Sequence, residues 1–122
     1  MTATARKPYD FAMFSLLDSI TEAEFAATVI ETAHWRGWLT AHFRPARRKD
    51  GTWATPLQGD GAGYPDLTLV RGGRVIFAEL KTEKGKLAPL QQRWLDALAD
   101  CAGVETYVWR PRDADAIKAV LA

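Results

Sequence analysis

Asp66, Glu79 and Lys81 are two carboxylates and an amine that the residues around them bring within reach of one another. Asp66 opens the β-rich run to Arg71, Glu79 and Lys81 close the run that begins at Arg74, and Gly72-Gly73 between them is a two-residue hairpin signal. The two acids therefore start one strand and end its antiparallel neighbour. Because side chains alternate along a strand, Glu79 and Lys81 share a face with Val75 and Phe77 behind them, while Ile76, Ala78 and Leu80 point the other way, and both faces read as buried. Carboxylates holding a hard divalent cation, with an amine beside them, suit phosphodiester hydrolysis, in which a water must become nucleophilic at neutral pH and charge on the phosphorane must be neutralised. Asp66 and Glu79 would be the ligands, with the Leu80 backbone carbonyl as a further protein oxygen and water completing the shell of Mg²⁺ or Mn²⁺. Lys81 would orient or help deprotonate the water and stabilise the transition state. A Glu-x-Lys tripeptide alone reads as an ordinary surface charge pair. The expectation rests on the ordered combination of a Gly-rich lead, Pro65-Asp66, a strand, a tight turn and an apolar strand ending in Glu79-Leu80-Lys81.

These residues resemble the PD-(D/E)xK nucleases and, among them, the VRR-NUC group in its small, stand-alone phage or bacterial form. The resemblance runs from Thr21-Glu22-Ala23-Glu24-Phe25 through Gly37-Trp38, His42-Phe43-Arg44-Pro45, Gly59 to Gly63, Pro65-Asp66, Glu79-Leu80-Lys81 and Gln91 to Val108-Trp109-Arg110-Pro111. It implies a metal-dependent deoxyribonuclease with a restriction-endonuclease-like core, Asp66, Glu79 and Lys81 at its centre, an acid from the first helix and a glutamine from the helix after the lysine strand. Glu22 is the helix acid that fits, since Glu22, Phe25 and Gly37 match the family spacing. Glu24 has its own explanation as the return half of a capping box with Thr21, and Glu31 reads as a solvated helix charge. Gln91, following Pro89, matches the glutamine better than Gln92, and would bond the phosphate, the water or Lys81 if it is not simply a surface residue. Small members of the group resemble homodimers that cut branched DNA such as four-way junctions, so structure-selective endonuclease cleavage is the expectation. The alternatives are a nuclease for flaps, ends or single strands, or a non-catalytic DNA-binding subunit of a phage replication or packaging machine. The intact acids and Lys81 favour the enzyme.

The elements that must position these residues follow from periodicity. A helix is expected from about Glu22 to Arg36, with Phe25, Val29 and Ala33 at i+4 spacing and Gly37 at its C-terminal end, then a strand from Trp38 to Arg44. A long Gly-rich loop from Pro45 to Tyr64 precedes the hairpin. After Lys81 a loop leads to a helix from roughly Ala88 to Cys101, with Pro89 near its start and Leu90, Trp94 and Leu98 on its apolar stripe. Val104 to Trp109 is a strand, and Asp113 caps a final helix carrying Ile117, Val120 and Leu121. A strand, crossover helix and strand of this size predict parallel pairing of the last strand with the Lys81 strand. The fold class is α/β, a mixed four-stranded sheet flanked by helices.

The 122 residues fit one domain with one core, and the apolar patch Phe11 to Leu17 within residues 1–20 would pack on the body or on a partner. No apolar run is long enough to span a bilayer and no signal peptide is recognisable, which predicts a cytosolic protein of a bacterium or a phage-infected host. The lone Cys101 excludes an intramolecular disulfide and reads as a packed thiol. The glycines of the long loop lack a following Gly-Lys-Ser/Thr, so no nucleotide cofactor is expected, and His34 and His42 have no cysteine companions for a zinc site. A net charge of +1 does not itself argue for nucleic acid, but its distribution does. Arg44, Arg47, Arg48 and Lys49 form one basic cluster, and Arg71, Arg74, Lys81, Lys84 and Lys86 are expected to flank the site, where they would neutralise DNA phosphates. His42, entering the basic loop, reads as a phosphate contact, a group behind the site or a packed histidine, and Trp53 in the loop as a base-stacking candidate.

Overall fold

A computed structural model describes residues 19–43, 48–52 and 57–122. The apolar N-terminal segment, Arg44, Arg47 and Trp53 lie outside the described residues. Helix α1 (Glu22–Trp35) starts where the capping box predicts it, with the Glu24 amide donating to Thr21 Oγ1 at 3.1 Å and the Thr21 amide to Glu24 Oε1 at 2.9 Å. It ends one residue earlier than the periodicity suggests, with Arg36 as the cap and Gly37 at a φ of +81° beyond it.

Strands β1 (Leu39–His42), β2 (Leu67–Arg71), β3 (Arg74–Leu80) and β4 (Val104–Trp109) form one sheet in that spatial order, antiparallel except for the parallel β3–β4 pair. Gly72 and Gly73 both have positive φ, 54° and 82°, as a two-residue turn matching the twist of its strands requires. Helix α2 (Pro89–Ala99) makes the crossover from β3 to β4, and a 3₁₀ turn (Pro111–Asp113) leads into α3 (Ala114–Leu121). Asp113 does not bond the α3 amides through its side chain; its carboxylate instead accepts the Arg110 amide at 2.8 Å and holds the 3₁₀ turn.

The core lies on one side of the sheet. Leu67, Leu69, Ile76, Ala78, Leu80 and Trp109 pack there against Phe25, Val29 and Ala33 of α1 and Ile117 and Leu121 of α3. The opposite face, carrying Thr68 and Phe77 in register, is only partly covered. Helix α2 lies on that second face, where it contributes one buried residue, Leu95. The expected stripe of Leu90, Trp94 and Leu98 is therefore not a core stripe: Leu90 is 50% exposed and the other two are half-buried. Cys101, expected to be packed, is exposed in the turn after α2. The helix packs mainly on β4 and less on β3, which leaves little sheet surface to bury a broad face, and Cys101 lies beyond the helix end.

The hairpin end of the sheet is a structural clamp. Trp38 donates to the Leu121 carbonyl at 3.0 Å, and the guanidinium carbons of Arg71 and Arg74 lie 4.5 and 4.9 Å from the centre of its ring. Arg71 also donates to the carbonyls of Arg36, Leu121 and Ala122, and Arg74 grips Glu105 with two bonds of 2.7 Å. These two arginines do not flank the acids as expected. They stand at the turn, the far end of the strands that carry Asp66 and Glu79.

At the acid end, Gly63 has a φ of +90°, and a Cβ there would lie 2.7 Å from the Leu90 carbonyl carbon. No side chain fits between the approach to Asp66 and the start of α2. Gly63→Ala should lower unfolding free energy by about 2 kcal/mol or more in urea titration, through both backbone strain and the clash. Gly73→Ala, with a φ of +82° but open space around it, should lose only about 1 kcal/mol.

Candidate active site

Two strand ends and one helix start build the site. Pro65 is fully buried and delivers Asp66 to the mouth of β2, where its carbonyl accepts the Phe43 amide at 2.9 Å and its Oδ2 accepts the Leu80 amide at 2.8 Å. The β2–β3 register pairs Leu67 with Ala78, so its next step sets Asp66 opposite Glu79. Both acids are buried, Asp66 at 7% and Glu79 at 1% exposure. Lys81 Nζ lies 3.8 Å from Glu79 Oε2, with its side chain 12% exposed. Its backbone amide donates to the Trp109 carbonyl at 3.0 Å, which ties the lysine to β4.

Gln91 joins the group from α2, but with a partner other than the phosphate, water or Lys81 that its position suggests. Its Nε2 donates to Glu79 Oε2 at 2.8 Å, while its Oε1 accepts the Ala88 amide at 2.8 Å. The second bond orients the side-chain amide, so Gln91 both caps the helix start and steers the carboxylate. Glu79 Oε1 is buried and has no hydrogen-bond partner among the described residues. Burial foremost, then the facing Asp66 carboxylate and a proton shared with it, push the Glu79 pKa up to about 8; the Lys81 ammonium opposes this and the Glu22 carboxylate adds to it.

Glu22, in the first turn of α1, is thus within electrostatic reach of Glu79. Among the described residues no set of three or more His, Cys, Asp or Glu side chains converges as a ready metal cage, so the acidic centre is the Asp66–Glu79 pair. Glu24 is occupied by its cap, which also holds its carboxyl below the ordinary range. Glu31 is not the solvated charge expected of it: its Oε2 is buried without a partner among the described residues, and nothing in the structure explains it.

The basic candidates are dispersed. Lys84 and Lys86 are exposed on the loop that leaves Lys81. Arg48 and Lys49 are exposed in a turn closed by Asp50, whose Oδ1 accepts both the Thr52 amide and hydroxyl. His42 is exposed at the end of β1, opposite Leu67. An aromatic cluster without a role in the sequence reading stands beside the acids: Tyr64 packs edge-on against Phe43, Phe77 and Trp94, with ring centres 6.1, 6.2 and 5.0 Å away. Its signal was strand alternation, since Tyr64 and Phe77 each precede an acid by two residues.

Between its ordinary value of 4.5 and about 8, Glu79 holds a proton in the folded protein that it releases on unfolding. The native state then binds more protons, so stability falls as pH rises through this window. Without metal, the melting temperature should drop between pH 5 and pH 8, and Glu79→Gln should flatten the drop. Equal slopes for the two proteins would contradict the assignment.

The VRR-NUC domain family matches residues 22–113, a stretch that contains Glu22, Asp66, Glu79, Lys81 and Gln91. Neither a curated protein nor a solved structure gives a match. No helix among the described residues is long and apolar enough to cross a membrane. Nuclease domains of the PD-(D/E)xK type generally use divalent metals, and the mixed sheet flanked by helices is compatible with their restriction-endonuclease-like fold. With its matching stretch covering most of the molecule, the chain belongs to the VRR-NUC family, nuclease domains of the PD-(D/E)xK type that act on DNA.

Proposed function

We propose that this protein is a Mg²⁺- or Mn²⁺-dependent DNA endonuclease selective for branched substrates such as four-way junctions. The observation that carries the metal is the buried, facing Asp66–Glu79 pair with a carboxylate oxygen left without a donor. Two such groups this close resist joint ionisation unless a cation joins them, and an all-oxygen donor set suits a hard cation. Asp66, Glu79 and the Leu80 carbonyl would hold it, with Glu22 acting through water. The bound ion would supply a water acidic enough to ionise near neutral pH and would offset charge on the phosphorane.

The chain's own residues do the rest. Gln91 holds Glu79 in one orientation, and the Leu80 amide does the same for Asp66. Lys81 is drawn in by Glu79 and stands ready to orient the attacking water and to stabilise charge on the phosphate as it moves toward the transition state. Lys84, Lys86, Arg48, Lys49 and His42 are exposed and would meet DNA phosphates, with Arg44 and Arg47 assigned the same part on sequence grounds. A homodimer is part of the same proposal, supported by Leu39 and Val70, which pair in register on the second face of the sheet and are 74% and 41% exposed. Two sites related by a two-fold axis would nick a junction symmetrically.

The test is cleavage of a labelled four-way junction, a flap and a plain duplex in Mg²⁺ or Mn²⁺. Symmetric nicks in the junction are expected, with Asp66→Ala and Lys81→Ala each lowering the rate by about a hundredfold or more. Gln91→Ala should lower it by roughly ten- to a hundredfold, as loss of a group orienting a metal ligand does. No metal-dependent cleavage of any substrate would point instead to a DNA-binding subunit.

A further inference from the structure

The loop from Lys81 to Ala88 joins two parts of the site, because Lys81 begins it and the Ala88 amide at its end is held by Gln91, which holds Glu79. Its middle carries the exposed Lys84 and Lys86. An eight-residue surface loop of this kind would ordinarily sample many arrangements. Here one side chain sits inside it. Arg110, just past β4, donates from Nη1 to the carbonyls of Thr82 at 2.7 Å and Gly85 at 2.6 Å, with the Glu83 carbonyl at 3.5 Å. The turn is wound around that nitrogen: the Gly85 amide returns to Thr82 Oγ1 at 3.1 Å, and a Cβ on Gly85 would come within 3.0 Å of the same oxygen. A second hold comes from Arg112, whose amide donates to Glu83 Oε2 at 2.6 Å and whose guanidinium lies 3.7 Å from Glu83 Oε1. The anchor is itself anchored, since the Arg110 amide donates to Asp113 Oδ2.

We infer that Arg110 is a positioning residue, which fixes the Lys81-to-Ala88 loop so that Lys84 and Lys86 meet DNA phosphates beside the acidic pair; this rests on the proposed nuclease function. The carbonyls converge inward on the guanidinium, so the two lysines between and beyond them are left on the outside of the turn. A guanidinium suits the task because its fork of donors meets several carbonyls in fixed geometry, whereas an ammonium on a flexible stem does not. Arg110→Lys therefore keeps the charge and removes the geometry.

The experiment has two readouts. Hydrogen exchange of the 82–87 amides, without DNA, should quicken at least tenfold in Arg110→Lys. Binding of a labelled duplex in Ca²⁺ across a KCl series should weaken by about tenfold, with the slope of log K against log salt reduced by roughly one to two, the share of Lys84 and Lys86. The decisive comparison is with Lys84→Gln/Lys86→Gln: adding Arg110→Lys to that pair should cost little further affinity. Losses that add in full, or unchanged affinity in Arg110→Lys, would overturn the positioning role. Should Arg110→Lys fail to fold, Glu83→Ala releases only the Arg112 hold and should move both readouts the same way by less. A native protein that binds no DNA would fail the nuclease reading itself, a result distinct from additive losses in a protein that binds.

Discussion

Two carboxyl groups that repel each other are held face to face in a buried place, and much of the structure is arranged to keep them there. An antiparallel register sets their spacing, and neither strand can slip by one residue without sending its acid to the core side. Each acid is then gripped by a donor from a different direction, Asp66 by the Leu80 amide and Glu79 by Gln91. Burial foremost, and then the facing Asp66 carboxylate, keep a proton on Glu79 up to about pH 8, and Lys81 opposes only part of this. Such a pair costs folding free energy and makes sense where function requires concentrated negative charge.

That cost is borne by the opposite end of the sheet and by its other face. Trp38, clasped between the C-terminal carbonyl of Leu121 and the stacked Arg71 and Arg74, closes the end of the core farthest from the acids. The charged residues nearest the hairpin turn thus belong to stability, while those at the strand ends make up the candidate site. The core face beneath is apolar without interruption through Leu67, Leu69, Ile76, Ala78 and Leu80, so the acids stand on a rigid support.

What the sequence made legible was whatever depends on neighbours along the chain. Gly72-Gly73 announced the hairpin, alternation announced the faces of β3, Thr21 and Glu24 announced the start of α1, and Pro89 the start of α2. What it hid depends on how far an element reaches in space. Arg71 and Arg74 are near Lys81 in sequence but a strand length away from it in the sheet. The Leu90, Trp94 and Leu98 stripe is periodic, yet periodicity says nothing about how much sheet lies beneath a helix. The partner of Gln91 emerges only once the crossover brings α2 over Glu79. Arg110 lay within the stretch that carries the resemblance, but its partners are backbone carbonyls, which every residue possesses, so the sequence did not show what it holds.

The placement of the acids on one hairpin bears on the order in which the molecule assembles. The Asp66–Leu80 and Gln91–Glu79 bonds close chain segments of only 14 and 12 residues, whereas the Arg110–Thr82 bond spans 28. Short loops close at small entropic cost and within microseconds, while a parallel strand must wait for its crossover. The acidic pair can therefore meet early in folding, and docking of β4 then completes the enclosure around a centre already in place.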